Sequence, residues 1–273
     1  METELEKEEF LMTENLFISV PIEYVETEKE LIEKYRFNLE LKIFSYHLDE
    51  LRLNYFSDAA EFVKDLGIRV TFHAPFVDLS PGGFDEKVRK VSEERFMEVL
   101  DYAVLFNPEN IVVHPGFNEI IHGQFFDIWK ERSEITWKKV FKYAENINVK
   151  ISFENIFEHD ARVLETLLGL ADSELAGICI DVGHHNVFSK KPLVEYFEKF
   201  GEKIFEVHLH DNNGDFDWHK AVGEGSINFY QVFDFVKKYC PNTILTLEPH
   251  DKETLFKSLK NVTEILEHYK EDI

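Results

Sequence analysis

Apolar residues along this chain fall into two alternating rhythms. Short runs rich in β-branched and aliphatic residues read as strands: Leu16–Pro21, Asn38–Phe44, Ile68–Pro75, Asn110–His114, Val149–Asn155, Gly177–Val182, Ile204–Asp211 and Thr243–Glu248. Between them lie stretches with helical spacing: Asp58–Leu66, Glu86–Phe106, Asp127–Asn146, Asp160–Ala171, Pro192–Phe200, Phe229–Tyr239 and Lys252–His268. Nearly every strand passes into helical sequence, and strict alternation of this kind implies a parallel sheet. Eight such units in 273 residues predict an α/β fold, a closed (β/α)8 TIM barrel in a single domain. An open, dinucleotide-binding sheet would need a glycine-rich phosphate turn after its first strand, and the sequence there reads PIEYVETEK. No linker or repeat divides the chain. Residues 1–14 read as an acidic N-terminal tail and 15–273 as the barrel.

Alternation within the strands predicts which face looks inward. Alternate strand residues point to opposite sides of a sheet. Arg69, Thr71 and His73 share one face, Lys150, Ser152 and Glu154 another, and so do Glu206, His208 and His210, and Thr246 with Glu248. Their neighbours Val70, Phe72, Ile151, Phe153, Val207 and Leu209 are apolar and suit packing beneath helices. The polar face therefore looks into the barrel, and its last residues gather at the C-terminal mouth, where barrel enzymes keep their active sites.

What gathers there is metal-competent. Glu154, Asp181, His208 and Glu248 stand near the ends of the last four strands. Three carboxylates and one imidazole form an oxygen-rich set suited to Mn²⁺, Mg²⁺ or Co²⁺, and also to Zn²⁺. Any one of them alone would be an ordinary ion-pair partner, but unpaired acids are rarely buried together. His73 and His114, each followed closely by proline, could share a second ion with Glu154 or contact substrate. His184, Asp217 and His219 could complete a third site. His185, His210 and Asp211 flank this cluster and suit hydrogen-bond support of the ligands. Asn155, His185, His210 and Lys220 are candidate substrate contacts. His47, His122, His159, His250 and His268 read as surface or loop residues. The VGEGSIN segment reads as a turn into the seventh helix, capped by Ser226, and could equally cradle a phosphate.

Composition narrows the partners. The net charge of −23, from 53 acids and 30 bases, argues against binding nucleic acid or an anionic membrane. Two cysteines make no disulfide framework and fit a reducing cytoplasm. The first residues lack the basic start and apolar stretch of a signal peptide, and no run approaches membrane-spanning length.

The motifs HAPF, VVHPG, FEN, CIDVGHH, HLHD, DWHKAVGEG and LEP together resemble the xylose isomerase-like barrels, a superfamily of sugar isomerases and epimerases that also includes the endonuclease IV family. For the sugar enzymes the resemblance implies one divalent ion on Glu154, Asp181, His208 and Glu248. Glu154 and Glu248 would be catalytic, passing a proton beside a carbonyl of a sugar or sugar phosphate. For the endonuclease IV branch it implies three zinc ions on His73, His114, Glu154, Asp181, His184, His208, Asp217, His219 and Glu248, with hydrolysis of DNA at an abasic site. Neither SYHLDELRLNYF after the second strand nor VDLSPGGFDEK after the third offers the cluster of bases a DNA clamp needs. The expectation is therefore a metal-dependent isomerase or epimerase holding one to three ions, with a multi-zinc phosphoesterase as the alternative.

Overall fold

The computed structural model describes residues 15–270, so the acidic segment 1–14 lies outside the described residues. The order is β1 (Leu16–Pro21), α1 (Tyr24–Thr27), α2 (Lys29–Tyr35), β2 (Asn38–Lys42), α3 (Ser45–Glu50), α4 (Leu53–Asp65), β3 (Val70–His73), α5 (Glu86–Phe106), β4 (Ile111–Val113), α6 (Glu119–His122), α7 (Phe126–Ile147), β5 (Ile151–Glu154), α8 (Arg162–Ala171), β6 (Ala176–Asp181), α9 (Val182–Phe188), α10 (Leu193–Phe200), β7 (Ile204–Leu209), α11 (Phe229–Tyr239), β8 (Ile244–Leu247) and α12 (Lys252–Lys270). All strand pairs are parallel, and β8 closes on β1, giving the eight-stranded barrel that the alternation predicts.

The differences from the sequence reading are local. The first crossover carries α2, whose charged sequence KELIEKY buries only Ile32 and so lacks a broad apolar stripe. Strand β6 ends at Asp181, not Val182, because the Asp181 carboxylate accepts the His184 N–H and caps α9. That one turn of helix brings Asp181 and His184 to the same place.

The outward face of the strands carries the apolar core. Phe153 meets Trp137 of α7 edge-on at 4.8 Å, and Trp137 stacks on Phe96 of α5. The inward face is polar, where many such barrels place branched aliphatics. Glu206, fully buried on β7, accepts from Thr246 (2.5 Å), Thr71 (3.3 Å) and Asn110 (2.8 Å). Asn110 also reaches Ser152. Side chains from β3, β5, β7 and β8 are thus tied together across the axis, directly beneath the mouth.

Removing Glu206 should expose that dependence. Glu206→Ala removes the shared acceptor of two hydroxyls and of one Asn110 amide N–H and should lower unfolding stability by about 3 kcal/mol or more. Burial already raises the Glu206 pKa, so Glu206→Gln should lose much less. Urea denaturation of the two variants checks this; equal losses would contradict it.

Candidate metal centre

Four imidazoles at the mouth commit one ring nitrogen away from the cavity. His73 donates Nδ1–H to the Ala74 carbonyl (3.0 Å) and His219 to the Glu248 carbonyl (3.2 Å), while His184 Nδ1–H is shared between the Asn155 carbonyl (3.0 Å) and Glu154 Oε1 (3.1 Å). A carbonyl can only accept, so each tautomer is fixed. His208 uses Nε2 instead, donating to the buried Glu40 carboxylate at 3.0 Å, and Ser19 in turn holds Glu40. Such outward hydrogen bonds are typical of metal-bound histidine.

The remaining nitrogens face carboxylates. His73 Nε2 lies 3.1 Å and His114 Nε2 3.3 Å from Glu154 Oε2. His184 Nε2 is 3.2 Å and His219 Nε2 3.3 Å from Asp217 Oδ2. His208 Nδ1 has no hydrogen-bond partner. It faces Glu154 Oε1 at 3.5 Å, Glu248 Oε2 at 3.7 Å and Asp181 Oδ2 at 3.9 Å. These last separations are long for hydrogen bonds and near the spacing of donors around one cation, roughly 3–3.5 Å for ligands about 2.1 Å from the ion.

A lone pair facing a carboxylate requires positive charge between them, either a proton or a metal ion. Burial works against protonation of His73, His184, His208 and His219. The groups facing them, chiefly carboxylates, outweigh it and raise all four above the usual histidine range. Burial likewise opposes charge on Glu154 and Glu248. For Glu154 the surrounding imidazoles, and for Glu248 Lys42 with His208 and His219, hold the carboxyl well below the usual range. Burial pushes His114 down to about 3, leaving a neutral ring suited to a metal.

The nine positions gather at the mouth, and among the described residues they form overlapping groups spaced to hold an ion: His73, Glu154 and His208; Glu40, His208 and Glu248; Glu154, Asp181 and His184; Asp181, His210 and Glu248; and His184, His210, Asp217 and His219. His114 belongs to none of these groups, although its Nε2 faces Glu154. The donors facing His208 are oxygen-rich and suit Mn²⁺, Mg²⁺ or Co²⁺; the imidazole-rich group of His184, His210, Asp217 and His219 suits Zn²⁺. His210 also touches Asp181 at 3.0 Å. Its ring lies against Gly183, where a Cβ would sit 1.9 Å from it.

Several expectations change. Asn155 does not face the cavity: its side chain spans β5 to β6, donating to the Asp181 carbonyl and accepting the Asp181 N–H, both at 2.9 Å. His185 turns its edge to Tyr196 of α10, and Lys220 pairs through its backbone with Asp211; neither lines the cavity. The glycine-rich turn holds the protein's own anion. Asp211 accepts the N–H groups of Gly223 (3.1 Å), Gly225 (2.7 Å) and Ile227 (3.2 Å), and Asn228, not Ser226, caps α11. His47 and His122 are buried, not on the surface; they accept the N–H groups of Phe44 and Asn118 and fix two loops behind the mouth. The exposed His250 stacks on His219 at 4.3 Å.

Two residues absent from the sequence reading matter most. Glu40 orients His208, and Lys42 places Nζ 2.9 Å from Glu248 Oε1 inside the cavity. Both lie on β2 with the inward parity. That strand ends at Lys42 and is followed by Ile43 and Phe44, without a terminal acid or histidine to draw attention to it.

A family model described as xylose isomerase-like TIM barrel matches residues 30–271. The chain belongs to this family. Uncharacterized protein MJ1311 of Methanocaldococcus jannaschii is 31% identical over 213 residues, covering 76% of this chain and 73% of that protein. The fructoselysine 3-epimerase of Escherichia coli O157:H7 is 24% identical over 203 residues, covering 65% and 70%. A solved structure of a D-tagatose 3-epimerase-like protein superposes with a TM-score of 0.80 at 27% identity, covering 94% of this chain and 99% of that one.

Glu40 gives the metal reading a handle away from the ligands. Glu40→Gln keeps shape and an acceptor but removes the charge behind His208, so Mn²⁺ affinity should fall by about 10–100-fold. Isothermal titration of the two proteins measures it; unchanged affinity would mean that Glu40 only fills space.

Proposed function

We propose that the chain is a divalent-metal-dependent sugar isomerase or epimerase that moves a proton at a carbon next to a carbonyl. One observation carries this reading. Glu154 and Glu248 both line the cavity, both turn an oxygen toward His208 Nδ1, and come from β5 and β8, three strands apart around the barrel. Two carboxylates thus approach a bound sugar from separate directions. One, ionised, takes the proton beside the carbonyl; the other must enter the reaction having taken a proton from solvent, which it delivers to the neighbouring carbon or the opposite face, and loss of the captured proton to solvent resets the pair.

The remaining residues suit this division. Lys42 occupies Glu248 Oε1 and leaves Oε2 toward His208, so the two glutamates sit in unequal surroundings. Glu154 is fixed instead by His73 and His114 on one oxygen and by His184 on the other. A divalent ion, when bound, supplies the positive charge that the developing oxyanion needs. The similarity to a D-tagatose 3-epimerase-like structure and to fructoselysine 3-epimerase supports a carbohydrate substrate.

A second reading, metal-dependent hydrolysis of a phosphodiester, is favoured by the third donor set of His184, Asp217 and His219, which a one-metal epimerase does not use.

Exchange of the carbon-bound proton in D₂O separates the two. Screened against ketoses and aldoses, Glu154→Gln and Glu248→Gln should each slow exchange by about 10²–10⁴-fold while retaining metal in part. His73→Gln and His114→Gln should do less. Absence of exchange with every sugar, together with phosphodiester cleavage abolished by His73→Gln or His114→Gln, would install the hydrolytic reading.

A further inference from the structure

The cavity above the carboxylates encloses about 910 Å³. That is near the upper end of the roughly 300–1,000 Å³ typical of sites for drug-sized ligands, and far more than a single sugar ring fills. Its walls beyond the metal-competent residues are largely apolar, and several phenylalanines stand among them. Phe44 follows β2, Phe76 follows β3, Phe157 follows β5, Phe188 ends α9, and Phe216 comes from the loop after β7. Phe157 and Phe188 meet edge-on at 5.1 Å, and Phe76 packs on His114 at 4.4 Å. The apolar wall is thus continuous with the site. Phe157 is 41% and Phe216 59% exposed, and both line the cavity, so each offers apolar surface to a ligand.

The cavity's charge points the same way. Among the described residues that line it, the only lysines or arginines are Lys42 and Lys252. Lys42 is paired with Glu248 at 2.9 Å and Lys252 with Glu28 at 2.7 Å. Asp215 and Asp251 also line the cavity and add negative charge. Away from the metal-competent floor, on the wall where the part of the substrate remote from the carbonyl would lie, a phosphate group would have to break one of those pairs and approach further carboxylates. An uncharged ring or alkyl chain would instead cover exposed phenylalanine.

We propose that the natural substrate is a ketose or keto-sugar carrying an uncharged apolar appendage, aryl or alkyl, and that sugar phosphates are excluded. The appendage lies against Phe157, Phe188 and Phe216 while the sugar reaches the carboxylates. This deepens the isomerase reading and rests on it.

The test compares binding of four ligands to the full chain saturated with Mn²⁺: D-fructose, D-fructose 1-phosphate, D-fructose 6-phosphate and 1-anilino-1-deoxy-D-fructose. The anilino ketose should bind about tenfold or more tightly than fructose, the increment expected of one ring taken into an apolar pocket. Neither phosphate should bind more tightly than fructose. Phe157→Ala and Phe216→Ala, both at exposed positions, should each reduce the aryl advantage, read as the ratio of anilino-ketose affinity to fructose affinity in the same variant. A phosphate that binds more tightly than fructose, an anilino ketose with no advantage, an advantage untouched by both variants, or no binding by any of the four would overturn the proposal. Proton exchange in D₂O on the same ligands reads the isomerase function separately. Tight aryl binding without exchange removes that function and leaves the appendage site standing; exchange of fructose without an aryl advantage does the reverse.

Discussion

Imidazole nitrogens aimed at carboxylates, with the opposite nitrogen already committed, are the constraint on which the rest of this mouth depends. His73, His184 and His219 each give one N–H to a backbone carbonyl, and His208 gives one to Glu40. The other nitrogen of each then meets an acceptor. Neutral rings in that arrangement would repel, so the site must be filled by protons or by cations. The sites compete for the same lone pairs, which links metal affinity to pH and fixes the tautomer of each ring before any ligand arrives.

The barrel supplies the stiffness that this arrangement needs. Its interior holds Glu206, Thr71, Thr246, Asn110 and Ser152 in one hydrogen-bonded layer, with Ser19, Glu40 and His208 in another. Both layers join strands on different sides of the barrel. Polar groups buried this way are costly unless satisfied, and satisfied they specify one geometry. The hydrogen bonds below the mouth therefore position the groups at the mouth, and His208 belongs to both levels. Around it the cavity wall turns apolar, so the proton chemistry proposed for Glu154 and Glu248 takes place at the boundary between a charged floor and an apolar rim.

Much of this was legible in the chain. Period-two alternation put Thr71 and His73, Ser152 and Glu154, and Glu206 and His208 on the inner face, and the structure places them there. The runs ending in acid or histidine pointed to His73, His114, Glu154, Asp181, His208 and Glu248, which the structure brings together at the mouth. Side-chain hydrogen bonding was not legible, because it depends on contacts between distant strands. Asn155 looked available for substrate, yet both ends of its amide are taken up by the Asp181 backbone. The glycine turn looked open to phosphate, yet Asp211 from the preceding strand end already fills it. Glu40 and Lys42 had the right parity, but only the closed barrel brings β2 beside β1 and β3 and within reach of β7 and β8. His47 and His122, read as surface or loop residues, are buried, and a histidine outside the strands gives no sequence sign that a turn will bury it.

The most direct test of the metal reading is anomalous diffraction from crystals soaked in Mn²⁺. A peak about 2.0–2.3 Å from His208 Nδ1 and from one oxygen each of Glu154, Asp181 and Glu248 is the expected result. Density showing no bound ion there, with His208 Nδ1 instead hydrogen-bonded to one of those carboxylates, would contradict it.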